Sequence, residues 1–132
     1  MRHIEIEPTY ITPQVILNPI DGKCLFKGNS ILFDVDQFYI PLTNWFDKFV
    51  AQKHQPKIEV VFELDNCNVL SIEKIAIILQ RLEFYRNDGG EVLIKWHYHK
   101  SDEDNLEIGE DFSEMLSLPF QYAAHESRPL FF

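Results

Sequence analysis

The sequence predicts an α/β domain, a small mixed sheet of four or five strands with helices mainly on one face. Three observations carry that expectation. Two short apolar runs flank Asn18-Pro19-Ile20-Asp21-Gly22, and Asp-Gly between such runs marks a hairpin. Two longer segments repeat apolar residues at steps of three and four, the period of an amphipathic helix. Two further segments, Lys57 to Leu64 and Glu91 to Tyr98, are dense in β-branched and aromatic residues, as buried strands are. Strand, helix, strand with short links implies right-handed crossovers and parallel pairing.

Each element follows in order. Ile4 to Ile6 supplies an edge strand, with Pro8 and Pro13 holding their neighbours extended. Gln14 to Leu17 and Lys23 to Phe26 form the hairpin, and Gly28-Asn29-Ser30 then punctuates the chain. Val35, Phe38, Tyr39, Leu42, Trp45, Phe46, Phe49 and Val50 make one wide helical stripe, with Asp34 and Gln37 spaced for a capping box. Pro41 is tolerated only in a first turn, which places the start of that helix near Phe38. After the strand Lys57 to Leu64, Asp65 to Asn68 reads as a polar turn. Ser71 reads as the N-cap of a second helix with Ile72, Ile75, Ala76, Leu79 and Leu82 inward. Asn87-Asp88-Gly89-Gly90 stops it. A short helix reaching Met115 and a last strand at Pro119 to Tyr122 complete the domain.

Composition narrows the function. The chain has 132 residues, enough for one domain over 1–132, with 45% hydrophobic residues and 14% aromatic. Its 12 Lys and Arg against 21 Asp and Glu give a net charge of -9. That sign is wrong for nucleic acid and for an anionic membrane surface. No apolar run approaches the roughly 20 residues of a membrane span. No apolar leader is visible, and the two cysteines, Cys24 and Cys67, stand without a paired motif. A cytoplasmic setting is the expectation.

Candidate chemistry is sparse. His97 and His99 share one strand face, the spacing of two metal ligands, but no third ligand is marked in the sequence and the expectation is no metal and no cofactor. Asp102, Glu103, Asp104, Glu107, Glu110 and Asp111 form an acidic cluster that fails the calcium-loop pattern, because Glu107 stands where that loop needs glycine. It reads as a helix start and an acidic docking surface. No nucleophile, base and orienter can be assembled from local spacing, and no phosphate-cradling glycine loop occurs, so the chain is not expected to be an enzyme. Ser71 stands apart: it follows a core strand and opens a helix, where free N–H groups and the helix dipole favour a phosphate.

Several motifs together resemble the SiaC-type regulatory phosphoproteins. They are Tyr10-Ile11-Thr12-Pro13-Gln14-Val15-Ile16-Leu17, Gly28-Asn29-Ser30, Gln37-Phe38-Tyr39-Ile40-Pro41-Leu42 with Trp45, and Phe62-Glu63-Leu64-Asp65 with Asn68 and Ser71. Trp96-His97-Tyr98, the stretch Asp102 to Phe112, and Pro119-Phe120 follow in order. The resemblance spans about residues 4–122 and leaves 123–132 as a tail. It implies a bacterial cytoplasmic switch with a fold similar to STAS-domain proteins. The implied partners are a kinase, a PP2C-type phosphatase that reverses it, and a diguanylate cyclase bound by the unphosphorylated form.

This chain departs from that pattern at the phosphoacceptor. The family carries Asn and then a run of Ser or Thr, whose first hydroxyl is the acceptor. Here Asn68 is followed by Val69 and Leu70, which lack hydroxyls; only Ser71 remains, and Glu73 replaces a common Lys. Ile31-Leu32-Phe33-Asp34 replaces the family's Pro-Glu-Asn. Two readings follow. Either Ser71 is the acceptor, or Val69 and Leu70 make a phosphate-free apolar contact patch that is always competent to bind. Candidate partner-binding residues are Asn68, Val69, Leu70 and Ser71, with Asp34 to Phe38 and Asp102 to Asp104 secondary. The competing class is a phosphorylation-independent or structural module, homodimeric through Pro129-Leu130-Phe131-Phe132.

Overall fold

The computed structural model describes residues 1–126. Six strands and three helices alternate in the order β1 (Ile4–Ile6), β2 (Gln14–Leu17), β3 (Lys23–Ser30), α1 (Val35–Val50), β4 (Ile58–Cys67), α2 (Val69–Asn87), β5 (Val92–His99), α3 (Glu103–Met115) and β6 (Phe120–His125). The strands lie side by side in sequence order. β1, β2 and β3 pair antiparallel, and β3 to β6 pair parallel. The expected mixed α/β class holds, with six strands where the sequence suggested four or five. All six segments read as strands join the one sheet, the short edge strands β1 and β6 included, and β6 runs to His125, into the segment assigned to the tail.

Sequential parallel strands with right-handed crossovers put every helix on the same face. The burial pattern agrees. Ile58, Val60, Phe62 and Leu64 of β4 are buried, whereas Glu59, Val61 and Glu63 are half-buried on the other face. An aromatic row runs beneath the helices from Phe46 of α1 through Phe26, Phe62 and Trp96 to Phe112 of α3. Its ring centroids are 6.3, 5.1, 5.5 and 5.9 Å apart. Such pairs contribute about 0.5–1.5 kcal/mol each beyond area burial. Gly109 admits α3 to this row: a Cβ there would lie 2.6 Å from the Trp96 indole. The Asp-Gly turn is as tight, with Gly22 at φ +70 and its Cβ position 2.0 Å from the Lys57 carbonyl oxygen.

Several element boundaries differ from the sequence reading. Gly28-Asn29-Ser30 is not a break but the end of β3, which shifts register between Gly28 and Asn29. β4 runs on through Cys67, because Asn66 and Cys67 pair with Asn29 and Ser30. α1 starts at Val35 with Asp34 as its cap, and Pro41 lies inside it. The proline side of the helix faces solvent, where a missing N–H is least costly. In α2 the buried stripe is Ser71, Ile75, Ile78, Leu82 and Tyr85 with Leu79; Ile72 and Ala76 turn toward its edge. No helix among the described residues is long and apolar enough to cross a membrane.

Candidate functional site at the helix-start edge of the sheet

All three helices begin at one edge, where β3, β4 and β5 end. Each start is capped by a side chain. Asp34 accepts from the Gln37 N–H at 3.2 Å, Asn68 from the Ser71 N–H at 3.0 Å, and Asp102 from the Asn105 N–H at 3.1 Å. The N-cap of α2 is therefore Asn68. Ser71, expected in that role, sits three residues inside, on the buried face of the first turn. A cap of this kind contributes about 1 kcal/mol.

Asn68 also fixes the neighbouring loop. Its amide donates to the Leu32 carbonyl at 2.7 Å, and its backbone N–H donates to the Ser30 carbonyl at 2.9 Å. The Ile31 N–H donates to the Ile11 carbonyl at 2.9 Å, and the Asn29 amide to the Tyr10 carbonyl at 3.2 Å. Three segments, 10–11, 31–33 and 68–70, are thus laced side by side. They carry a concentration of exposed apolar side chains: Tyr10, Ile11, Ile31, Phe33, Val69 and Leu70. Phe33 is 98% exposed and Val69 70%. Large apolar groups gathered in water at one edge make it the candidate contact surface.

Ser71 lies beneath that surface, with 0% of its area exposed. Its Oγ accepts from Ser30 Oγ at 2.8 Å, and Ser30 Oγ lies 2.6 Å from the Tyr39 hydroxyl. These three hydroxyls join β3, α1 and α2 in one buried chain. Burial pushes the Tyr39 hydroxyl up to about 12, so it stays protonated and hydrogen-bonded. Sequence reasoning missed the chain because no local pattern links residues 30, 39 and 71.

The secondary candidates flank this edge. Asp34 is exposed; Phe38 is half-buried, packing edge-on against Tyr39 at 5.1 Å. Asp36 forms an ion pair with Lys74 across the first turns of α1 and α2. Asp102 is half-buried as a cap, and Asp104 is exposed in the acidic first turn of α3. Asn105 ties that turn to the Leu64 carbonyl at 3.0 Å.

The remaining candidates separate from the site. His97 and His99 do share a face, but they take different partners. His99 Nε2 meets Asp65 at 2.6 Å, whereas His97 Nδ1 meets His125 Nε2 at 2.7 Å. Both cysteines are free thiols, and burial raises each to about 12, which removes thiolate chemistry near neutrality. A surface groove lined by Met1, Arg2, Ile4, Trp45 and Lys48 brings no acid–base pair together. Residues 129–132, proposed as a dimerising tail, lie outside the described residues.

The fold and this edge define a one-sided mixed-sheet protein with exposed apolar side chains gathered across its helix N-termini. A profile described as SiaC family regulatory phosphoprotein matches residues 6–125, and the chain belongs to that family. An uncharacterized protein of Pseudomonas aeruginosa strain UCBPP-PA14 is 29% identical over 126 residues, covering 96% of this chain and 99% of that one. The crystal structure of apo-SiaC from Pseudomonas aeruginosa is similar with a TM-score of 0.85 and 29% identity, covering 94% of this chain and 100% of that one. A crystal structure of the diguanylate cyclase SiaD in complex with its activator SiaC, from the same organism, contains a chain similar at TM-score 0.87 and 29% identity. It covers 92% of this chain and 99% of that one.

Proposed function

We propose that this chain is a non-catalytic cytoplasmic regulator that binds and activates a diguanylate cyclase through the apolar edge around Asn68, Val69 and Leu70, in a form that phosphorylation does not switch off. Asp34, Phe38, Asp102 and Asp104 form the rim of that contact. The observation that carries the reading is the division of labour in the first turn of α2. The side chains in solvent, Val69 and Leu70, have no hydroxyl, and the one hydroxyl, on Ser71, has no exposed area. A kinase must reach an acceptor oxygen, and a phosphate at Ser71 would place about −1.5 to −2 charges in a buried site. The family resemblance puts the acceptor at Val69, which cannot carry phosphate. The activator complex of the related SiaC supports a cyclase as the partner class.

The test is intact-mass analysis after co-expression with the cognate kinase, with Ser71→Ala as control, followed by pull-down of the cyclase. No adduct and undiminished cyclase binding are expected. A phosphate adduct that disappears in Ser71→Ala would overturn the phosphate-free reading. In a complementary variant, Val69→Thr restores a hydroxyl at the exposed position, and kinase treatment is then expected to add one phosphate and weaken cyclase binding.

A further inference from the structure

The helix-free face of the sheet holds a second group of residues that the activator reading does not use. Glu63 of β4, His97 of β5 and His125 of β6 stand on three neighbouring parallel strands. Phe62 pairs with Trp96, and His97 with Ala123, so the three side chains are brought together diagonally across the ladder. His97 Nδ1 lies 2.7 Å from His125 Nε2 and 3.3 Å from Glu63 Oε1. His125 Nε2 lies 3.7 Å from the same carboxylate oxygen. We propose that Glu63, His97 and His125 form a divalent transition-metal site, of a kind that takes zinc, that clamps the edge strand β6 to the sheet.

The three ligand atoms lie close enough together to share one ion. A tetrahedral zinc with bonds of about 2.0–2.1 Å needs its ligand atoms about 3.3 Å apart. The three separations bracket that value, and the short one opens by rotation of the His125 ring, which stands largely in solvent. Two imidazoles and one carboxylate are a recurrent three-ligand zinc set that leaves the fourth position for water or for a partner's side chain. The other oxygen of Glu63 is held by Lys27 at 3.4 Å, which orients Oε1 toward the histidines. His99 stands outside this group, with its Nε2 engaged by Asp65. The cleft bounded by Glu63, Asp65, His97, His99 and His125 has a volume of about 20 Å³, room for one atom-sized occupant.

Net charge supports the same conclusion. The chain's net charge of -9 draws cations to it. The sequence conceals the site because its ligands are 34 and 28 residues apart, and because His97 pairs with His125 rather than with the nearby His99.

The experiment uses the full chain without a histidine tag, freed of metal by chelator. Titration with zinc chloride by calorimetry is expected to give one ion per chain. At about a hundredfold excess over Kd the melting temperature is expected to rise by roughly 5–10 °C. Cobalt(II) is expected to give the intense visible absorption of a tetrahedral site. His97→Ala and His125→Ala, both on the open face, are each expected to keep the circular dichroism spectrum and to weaken binding at least about tenfold. His54→Ala is expected to change nothing. Absence of heat and of any melting shift, or binding that survives either His97→Ala or His125→Ala, overturns the proposal. Cyclase binding by the metal-free chain bears only on the activator reading, so the two can fail separately.

Discussion

The first turns of α2 and α3 are built alike and finished differently. Each is capped by a side chain accepting the N–H three residues on, and in each an asparagine amide reaches a neighbouring carbonyl, Leu32 for Asn68 and Leu64 for Asn105. Beyond that frame they diverge. α3 carries Glu103 and Asp104 in its first turn, which complement the helix dipole. α2 carries no acid there and shows Val69 and Leu70 to solvent. The frame sets position, and the exposed side chains set what can bind. The neutral turn offers apolar contact, whereas its acidic neighbour offers charge that salt screens.

The largest effect expected from breaking this comparison comes from moving a charge inward. Ser71→Asp buries a carboxylate beside Ser30 and Tyr39 without a cation, and an uncompensated buried charge costs about 3–5 kcal/mol. Chemical denaturation is expected to show that loss, or a failure to fold. Val69→Asp places the same charge at an exposed first-turn position. Its stability is expected to stay level or gain about 0.3–1 kcal/mol from the dipole, while cyclase affinity falls at least about thirtyfold as a contact residue is lost. Two phosphate mimics two residues apart thus separate folding from binding.

The caps come next. Asn68→Ala removes the α2 cap and the tie to Leu32, and is expected to cost about 1–2 kcal/mol. Asp102→Ala is expected to cost less, about 1 kcal/mol, since Asn105 keeps its own bond to Leu64. Urea melts of the two variants measure the difference. The smallest signal is kinetic. Cys67, directly ahead of Asn68, has its thiol raised to about 12 by burial, so iodoacetamide at neutral pH is expected to label it far more slowly in the folded chain than in denaturant. Fast labelling would mean that the turn opens readily and that Ser71 is reachable.

Much of this architecture is legible in the sequence because periodicity reports burial directly. The stripe from Val35 to Val50 matches the buried residues of α1 except at the half-buried Phe38 and Val50, and the alternation from Ile58 to Leu64 matches those of β4. Boundaries fail where a polar run continues a strand. Asp65 to Cys67 looks like a turn, yet the ladder to Asn29 and Ser30 holds it extended. The turn after β4 is also legible as a candidate site, since Val69 and Leu70 are apolar where a helix start usually is not. The hydroxyl chain of Ser30, Tyr39 and Ser71 and the Glu63, His97 and His125 group were not legible. Each depends on register between distant strands and helices, which no local spacing encodes.

The most direct measurement is the affinity of the chain for the proposed partner, a diguanylate cyclase, read by calorimetry for wild type, Leu70→Asp and Asp104→Asn. Loss of at least about thirtyfold in Leu70→Asp with less than about threefold in Asp104→Asn is the expected result. Unchanged binding in Leu70→Asp, with loss in Asp104→Asn, would place the contact on the acidic helix and contradict the account.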